Sequence, residues 1–259
     1  MAKVLCRALT LLIISVLLIA GCSATESYIV GIDKDYPPFS YIDANGAIVG
    51  FDVESIQWIA EQKGFEVEIV PIAWDDIIPA LLKKEIDMIY SGMSITPTRA
   101  KQITFSVPYW DLDQGVVVKK ESGITMEEFG SGDLIIGVNS NTTAAEYLEA
   151  DYFGTEMYKK LVQSGKIEFY STFPESMFAL EQGVVDAVMF DNTSIESYIW
   201  NKPALIMLGI IPTGEEYGVA MRNDDIELHE IMNRGLAELM FSDKWGELMN
   251  KYIIIGENV

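Results

Sequence analysis

Residues 86–99 read IDMIYSGMSITPTR, and this order of residue types decides the fold that we expect. The apolar run at 86–90 predicts a short buried strand, and it ends directly in small and polar residues. Thr96 and Pro97 then provide a helix N-cap and a proline at the first helical position, so we expect a helix to begin there. A strand, a short loop and a helix start in this order are typical of an α/β sheet.

A similar stretch recurs farther along the chain. Residues 80–89 read ALLKKEIDMI and residues 179–188 read ALEQGVVDAV, so that in each a helix end precedes a strand containing an aspartate. Elsewhere strands and helices also alternate, which predicts mostly parallel sheets. The predicted strands are 28–32, 65–69, 86–90, 134–138, 167–170 and 185–190. The predicted helices are 51–63, 75–84, 174–182, 225–240 and 242–252, with further helices beginning near 96 and 143.

The repetition predicts two similar α/β lobes. Open α/β sheets bind ligands at the carboxyl ends of their strands, so we expect the functional groups of each lobe there. Asp75 is expected to cap the helix that runs to Lys84, with Pro79 in its first turn.

Composition excludes several classes of function. The chain has 259 residues, 49% of them hydrophobic, which is enough for substantial cores. Its formal charge of −21 and the lack of clustered Lys and Arg argue against nucleic acid as a partner. The single histidine, His229, argues against a Ser-His-Asp triad or a histidine metal site, and no phosphate-binding loop is present. We therefore expect no catalytic residues, no metal and no cofactor.

The N-terminus has the pattern of an export signal. Residues 8–21 carry no charge, follow two basic residues and are too few for a comfortable membrane span, but they suit the apolar region of a secretory signal. The run ends in IAGC at 19–22, which resembles a lipobox. We expect residues 1–21 to be a removed signal peptide, Cys22 to carry a lipid, and residues 22–27 to form a tether. The lipid would be the only membrane attachment. A plain signal peptide or an uncleaved anchor is the alternative, and either also implies export.

Residues 91–99 combine several hydrogen-bond donors that could bind a carboxylate. They contain serine hydroxyls, backbone amides at a helix start and the Arg99 guanidinium. The alternative is that Thr96 only caps the helix while Arg99 points into solvent. Residues 139–143 likewise end a strand and begin a helix, so they either offer amides to an anion or form an ordinary cap.

Other candidate residues would suit a cation or a flat side chain. Asp191 follows the strand 185–190 and would either hold a cation such as an ammonium group or cap the next helix. Tyr36 lies in a loop stiffened by two prolines and could form a stacking wall. Trp74 could form a second wall or belong to the core.

In this order, these residues resemble the family 3 extracellular solute-binding proteins, the polar amino-acid receptors of ABC importers. The resemblance extends from residue 28 to about 255, and its most specific part is 87–109. Further matches are YPPF at 36–39, GFD at 50–52, IPAL at 78–81 and DAVMFD at 186–191.

The resemblance implies a role in amino-acid binding for nine residues. These are Arg99 and Ser94 for the α-carboxylate, helped by an amide near Thr143; Asp191 and the Gly92 carbonyl for the α-ammonium; Tyr36 and Trp74 as walls; and Asp33 and Ser91 at the far end of the ligand side chain. Asn141 departs from the family, which commonly has glycine there. Asn tolerates a left-handed backbone, but its side chain could narrow the pocket or contact the ligand.

The resemblance also implies a fold and a partner. The fold would be a two-lobed periplasmic-binding-protein-like (type II) α/β fold with two hinge crossovers. The first lobe would comprise residues 28–112 and 213–259, and the second lobe residues 113–212. The partners would be a small amino acid and the permease subunits of an ABC transporter, and the protein would be an extracytoplasmic monomer.

The expected ligand is a cationic or amide-bearing L-amino acid, namely arginine, lysine, histidine or glutamine. An acidic ligand would meet Asp33 and Asp191 with only Arg99 to oppose them. Two other functions stay open. Cyclohexadienyl dehydratases share the scaffold, and an enzyme of that kind would need a general acid such as Asp33. A ligand-sensing subunit of a membrane signalling system is the other alternative.

Overall fold

The computed structural model describes residues 25–254. The predicted signal peptide (1–21) and Cys22 lie outside these residues. The described part contains short and long strands, which group into two five-stranded sheets and one small three-stranded sheet. The strands are β1 (Ser27–Ile32), β2 (Asp35–Tyr36), β3 (Ser40–Ile42), β4 (Ile48–Val49), β5 (Glu66–Pro71), β6 (Met88–Ile89), β7 (Thr104–Phe105), β8 (Trp110–Lys119), β9 (Ile136–Asn139), β10 (Ile167–Tyr170), β11 (Ala187–Asp191), β12 (Leu205–Tyr217) and β13 (Ala220–Met221).

Helices follow most of the strands. They are α1 (Phe51–Lys63), α2 (Trp74–Leu82), α3 (Met126–Ser131), α4 (Thr143–Tyr147), α5 (Thr155–Gln163), α6 (Phe173–Gln182), α7 (Asn192–Ile199), α8 (Ile226–Met240) and α9 (Asp243–Leu248). The predicted helix 51–63 is confirmed, and it ends at Gly64, whose φ of 77° suits a glycine and whose N–H bonds to the Ala60 carbonyl. Over residues 25–254, every helix is too short or too polar to span a bilayer.

The first lobe is built on a sheet with strand order β5-β1-β6-β13-β7. Strand β1 runs parallel to β5 and β6, whereas β13 is antiparallel to both β6 and β7. Helix α1 packs on this sheet with its buried residues Val53, Ile56 and Ile59, while the later helix α8 packs against α1. Early and late parts of the chain therefore share one lobe.

The second lobe is built on a sheet with strand order β10-β9-β11-β8-β12. Strands β10, β9 and β11 are parallel, and β11, β8 and β12 are antiparallel. Strands β8 and β12 pair from Leu205↔Lys119 to Tyr217↔Trp110, and they carry the chain into this sheet from β7 and back out to β13. The α/β architecture is thus confirmed, but the sheets are mixed. The reason is that the strands entering and leaving each lobe pair in the antiparallel sense.

Two helix starts differ from the prediction. No α-helix begins at Thr96; a single 3₁₀ turn, Arg99–Lys101, is formed instead, because β7 begins at Thr104 and leaves little room. Helix α2 begins at Trp74 without a side-chain cap, so Asp75 is not its cap, and Pro79 lies inside the helix.

The two lobes share an apolar cluster. Its buried members include Tyr36 and Phe39 of the first lobe and Phe173 and Phe190 of the second. The rings of Tyr36 and Phe190 meet edge to face at a centroid distance of 5.7 Å. Two further clusters lie within one lobe each. This packing brings the loops after β1 and β6 close to those after β9 and β11.

Candidate ligand-binding site

A cavity lies where those loops meet, and the empty space within it and at its open mouth amounts to about 420 Å³. Both lobes contribute to its wall. The lining residues are Asp33, Tyr36, Trp74, Gly92, Ser94 and Arg99 of the first lobe, and Asn139, Thr142, Thr143, Ser171, Thr172, Phe173, Phe190 and Asp191 of the second. The structure therefore brings eight of the nine predicted site residues together, and the exception is Ser91.

Arg99 is buried at the first-lobe wall, with 6% of its surface exposed. The Thr96 hydroxyl accepts a hydrogen bond from the Arg99 backbone amide at 3.2 Å, which fixes the turn that directs the side chain inward. Nη1 donates to the Ser94 carbonyl at 2.9 Å and Nη2 to the Asn141 carbonyl at 3.1 Å. A guanidinium has five N–H donors, so Arg99 retains donors for a carboxylate in the cavity. Burial lowers the pKa of the Arg99 guanidinium, but the nearby carboxylates of Glu146, Asp191 and Glu215 oppose this shift.

Asp191 ends β11 at the second-lobe wall and is 7% exposed. Its Oδ2 accepts hydrogen bonds from the hydroxyls of Tyr36 at 2.5 Å and Tyr217 at 2.7 Å, and its Oδ1 accepts one from Gln114 Nε2 at 2.6 Å. Although Asp191 precedes α7, its side chain does not cap that helix. Burial, aided by the charge of Glu215, raises the pKa of Asp191 to about 6. At neutral pH the group is therefore mostly an anion.

Opposite charges thus face one cavity from opposite lobes. Arg99 offers N–H donors on one side, and Asp191 offers carboxylate oxygens on the other. A small dipolar molecule could satisfy both groups at once.

Aromatic rings form much of the remaining wall. Tyr36 is 5% exposed and its ring stacks on Phe39 at 5.5 Å. Trp74 is half-buried; the Arg99 Cζ lies 5.3 Å from its ring centroid, and its Nε1 donates to the Asn141 carbonyl at 3.1 Å. Phe173 and Phe190 stack at 4.4 Å and extend the apolar wall in the second lobe.

Asp33 and Ser91 have different positions. Asp33 lines the cavity, and burial raises its pKa to about 6. Ser91 is fully buried behind the wall, where its Oγ accepts from the Asp33 amide at 2.9 Å and lies 2.8 Å from Ser40 Oγ. Ser91 therefore holds the loop that carries Asp33.

Gly92 occupies a position that only glycine fits. Its φ is +53°, and a Cβ there would lie 2.3 Å from the Tyr36 ring. Its amide donates to Asp52 Oδ2 at 2.7 Å, and the Tyr109 hydroxyl donates to the same oxygen at 2.9 Å. Asp52 is fully buried, and this desolvation raises its pKa to about 8.

Thr143 is the first residue of α4 at the second-lobe wall. The preceding Thr142 caps the helix, since its Oγ1 accepts from the Ala145 amide, and it also donates to the Asn139 carbonyl at 2.7 Å. Asn141 has the left-handed φ of 57°, and its side chain lies outside the cavity lining.

Sequence reasoning missed several residues of this site. Gln114 and Tyr217 support Asp191 from strands that carry no local motif, so no sequence signal identified them. Phe173 and Phe190 read as ordinary apolar residues of a helix and a strand. For Phe190 one signal was available, because it directly precedes Asp191 at the carboxyl end of β11.

Comparison with known proteins identifies relatives over nearly the whole chain. Residues 28–255 match the model of the bacterial extracellular solute-binding proteins, family 3. The ABC transporter arginine-binding protein 1 of Escherichia coli K12 is 29% identical over 237 residues, covering 87% of this chain and 93% of that protein.

Solved structures agree with this match. Holo ArgBP of T. maritima superposes with a TM-score of 0.71 at 34% identity, covering 87% of this chain and 95% of that one. The ancestral amino acid-binding protein AncCDT-1, described as a precursor of cyclohexadienyl dehydratase, superposes with a TM-score of 0.76 at 31% identity, covering 88% and 95%. With its two-lobed fold and the match over residues 28–255, the chain belongs to the family 3 bacterial extracellular solute-binding proteins.

Proposed function

We propose that the protein is the extracytoplasmic substrate-binding component of an ABC importer and captures a polar L-amino acid between its lobes. The observation that carries this proposal is the placement of Arg99 and Asp191 on opposite walls of one cavity. Arg99 and Ser94 would hold the α-carboxylate, and Asp191 with the Gly92 carbonyl would hold the α-ammonium. Charge-assisted hydrogen bonds contribute roughly 1.5–3 kcal/mol each. A few of them, less the cost of closure, are compatible with the roughly 8 kcal/mol of micromolar binding.

The cavity favours a side chain that donates hydrogen bonds. Asp33 and Asp191 both line it, against the single cation Arg99 among its lining residues. Tyr36 and Trp74 would flank the ligand side chain, while Asp33 would accept from its far end. The names of the relatives agree, since two of the three proteins compared above are arginine-binding proteins. We therefore propose arginine, lysine, histidine or glutamine as the ligand, and not glutamate or aspartate.

The lobes would close around the ligand by bending at the two places where the chain crosses from one lobe to the other. We propose that residues 28–112 with 213–259 move against residues 113–212. The pairing of β8 with β12 is irregular between Ile211 and Glu215, and Asp113 Oδ1 accepts there from the amides of Thr213 at 2.8 Å and Gly214 at 3.0 Å. A bulge beside regular pairing is a suitable place for a hinge.

The N-terminal pattern completes the proposal. We infer that Cys22 is diacylated and becomes the first residue when residues 1–21 are removed, so that a monomer is tethered outside the membrane where the importer's permease subunits can receive its ligand. Mass spectrometry of the protein in the membrane fraction tests this: we expect a chain that begins at Cys22 and carries lipid there, and an unmodified Cys22 or a chain that keeps residues 1–21 would refute the inference.

Calorimetry with the twenty amino acids tests the proposed ligand class. We expect at least one of arginine, lysine, histidine and glutamine to bind. Arg99→Ala and Asp191→Ala should each lower affinity by roughly 2–5 kcal/mol, since each leaves one buried ligand charge without its partner. The matched controls Arg234→Ala and Asp151→Ala alter exposed residues of the same lobes and should bind like wild type. Glutamate binding as tightly as the best of the four, or wild-type affinity in both site variants, would refute the proposal.

One observation favours an enzyme as the second candidate. Asp33, with its pKa raised to about 6, faces the cavity as a general acid would, and AncCDT-1 is described as a precursor of a dehydratase. We propose a binding protein nonetheless, because the cavity holds both a cation and an anion for an intact amino acid. Incubation with prephenate or arogenate should give no aromatic absorbance; its appearance would favour the enzyme.

A further inference from the structure

Asn141 of the second lobe is in contact with three residues of the first. Its carbonyl accepts from Trp74 Nε1 and Arg99 Nη2, each at 3.1 Å, and its side-chain Nδ2 donates to Asp75 Oδ1 at 2.7 Å. The loop after β9 thus touches the start of α2 and the guanidinium of Arg99.

The side-chain bond is the part of this contact that depends on residue identity. Any residue could supply the carbonyl, but only a side-chain donor can reach Asp75. The left-handed φ of 57° favours Gly, Asn or Asp. Asn satisfies the backbone and adds a bond to an ionised acceptor.

We propose that the Asn141–Asp75 hydrogen bond is an affinity-determining contact between the lobes, which stabilises the closed form. This inference rests on the proposed function. The bond holds the Asn141 carbonyl against Trp74 and Arg99, so it positions two residues of the ligand site without touching the ligand. Because it can form only when the lobes are together, it slows ligand release more than it changes capture.

Exchanging the donor and the acceptor tests this bond. Asn141→Asp keeps the shape and the backbone preference but sets two carboxylates against each other. Both side chains are exposed, so with L-arginine as the probe we expect Kd to rise about fivefold, mostly through a faster dissociation rate, from the loss of the bond and the screened repulsion. Asp75→Asn retains an acceptor and should stay within about twofold of wild type. The double variant Asn141→Asp/Asp75→Asn reverses the bond and should recover most of the affinity.

The measurement is stopped-flow tryptophan fluorescence, with Asp76→Asn as the matched control. Asp75 and Asp76 are both exposed and lie in the same helical turn, so the Asp76 variant reports the effect of charge alone. Recovery in the double variant supports the proposal. If the double variant binds no better than Asn141→Asp, or if Asn141→Asp binds like wild type, the proposal is overturned while the proposed function stands. If wild type binds none of arginine, lysine, histidine and glutamine, the proposed function fails and this inference falls with it.

Discussion

Asp52 shows how a residue outside the cavity can shape it. Its Oδ2 accepts from the Gly92 amide and the Tyr109 hydroxyl, while its Oδ1 has no hydrogen-bond partner among the described residues. Burial favours the neutral acid, which raises the pKa of Asp52 to about 8. The group that holds the Gly92 loop is therefore protonated in the folded protein near neutral pH.

This protonation predicts a pH dependence of stability. An unfolded Asp titrates near pH 4, so between about pH 4 and 8 the folded form binds one more proton at Asp52 than the unfolded form. Its contribution to the unfolding free energy is thus largest below pH 4 and is lost as pH rises towards 8. Asp33 and Asp191 act in the same direction, but only up to their pKa of about 6.

Above about pH 6.5 only Asp52, of these three aspartates, still makes stability fall with pH, so Asp52→Asn should remove that fall. Asn is neutral and keeps an oxygen for Gly92 and Tyr109. From pH 6.5 to 7.5, urea unfolding should show wild type losing stability relative to the variant by about 1.4 kcal/mol. The exposed control Asp76→Asn should keep the wild-type slope. Equal slopes for wild type and Asp52→Asn would contradict the raised pKa.

For single residues, the sequence predicted which side chains line the cavity better than it predicted which residues hydrogen-bond to them. Arg99 and Asp191 were identified because each follows a strand, and the carboxyl ends of strands meet at one edge. Tyr217 and Gln114 could not be found, since their contacts with Asp191 join residues far apart in the chain. Ser91 faces Ser40 and not the cavity, because side-chain direction at a strand end depends on pairing that the sequence does not state.

The sequence repeat becomes a structural repeat of helix, turn and strand. Lys84, with φ 64°, follows α2 as Gly183, with φ 73°, follows α6. Asp87 Oδ2 accepts from the Ile29 amide, and Asp186 Oδ2 accepts from the Ile135 amide, both at 2.8 Å. Each aspartate thus fixes the start of its strand beside the neighbouring one.

The two halves of the repeat differ in the residue that adopts the left-handed turn. Glycine takes this conformation without steric cost, whereas lysine is strained there. Lys84→Gly should therefore stabilise the protein by about 0.5–1 kcal/mol, the removed strain being partly offset by the greater entropy of the unfolded chain. The ion pair of Lys84 with Asp224 spans 3.9 Å and is exposed, so its loss matters little.

Urea denaturation measures this change, with Lys83→Gly as the control. Lys83 has a φ of −79°, where glycine removes no strain, so that variant should be destabilised. Destabilisation of Lys84→Gly by as much as Lys83→Gly would refute the argument.

Elements with strong local signals were predicted well, and those shaped by their surroundings were not. Helix 51–63 has an apolar face and a glycine stop, and the structure reproduces it. The segment after Thr96 has equally good local signals, yet it forms one 3₁₀ turn. There the inward Arg99 side chain and the nearby strand β7 override the local preference.

The overall architecture depends on the alternation of strands and helices and on the places where the chain crosses between the two large sheets. Alternation predicted the α/β class and two lobes, and the structure agrees. It did not predict the antiparallel pairing of β8 with β11 and β12, because a crossing strand has no helix to mark its direction. The residues at which the lobes divide remain a prediction.

The net charge of −21 is also a property of the whole molecule, and it should affect ligand capture. A cationic amino acid is attracted to such a surface over distances comparable to the Debye length, about 30 Å at 0.01 M salt and about 3 Å at 1 M. The association rate of L-arginine should therefore fall by about tenfold between these two salt concentrations. L-citrulline has nearly the same shape without the side-chain charge, so its association rate should change by less than about twofold.

Stopped-flow fluorescence with both ligands separates long-range attraction from contacts in the cavity. If the two association rates decrease equally with salt, the negative surface does not steer the ligand, and the preference for cations must come from contacts within the cavity, Asp33 and Asp191 foremost.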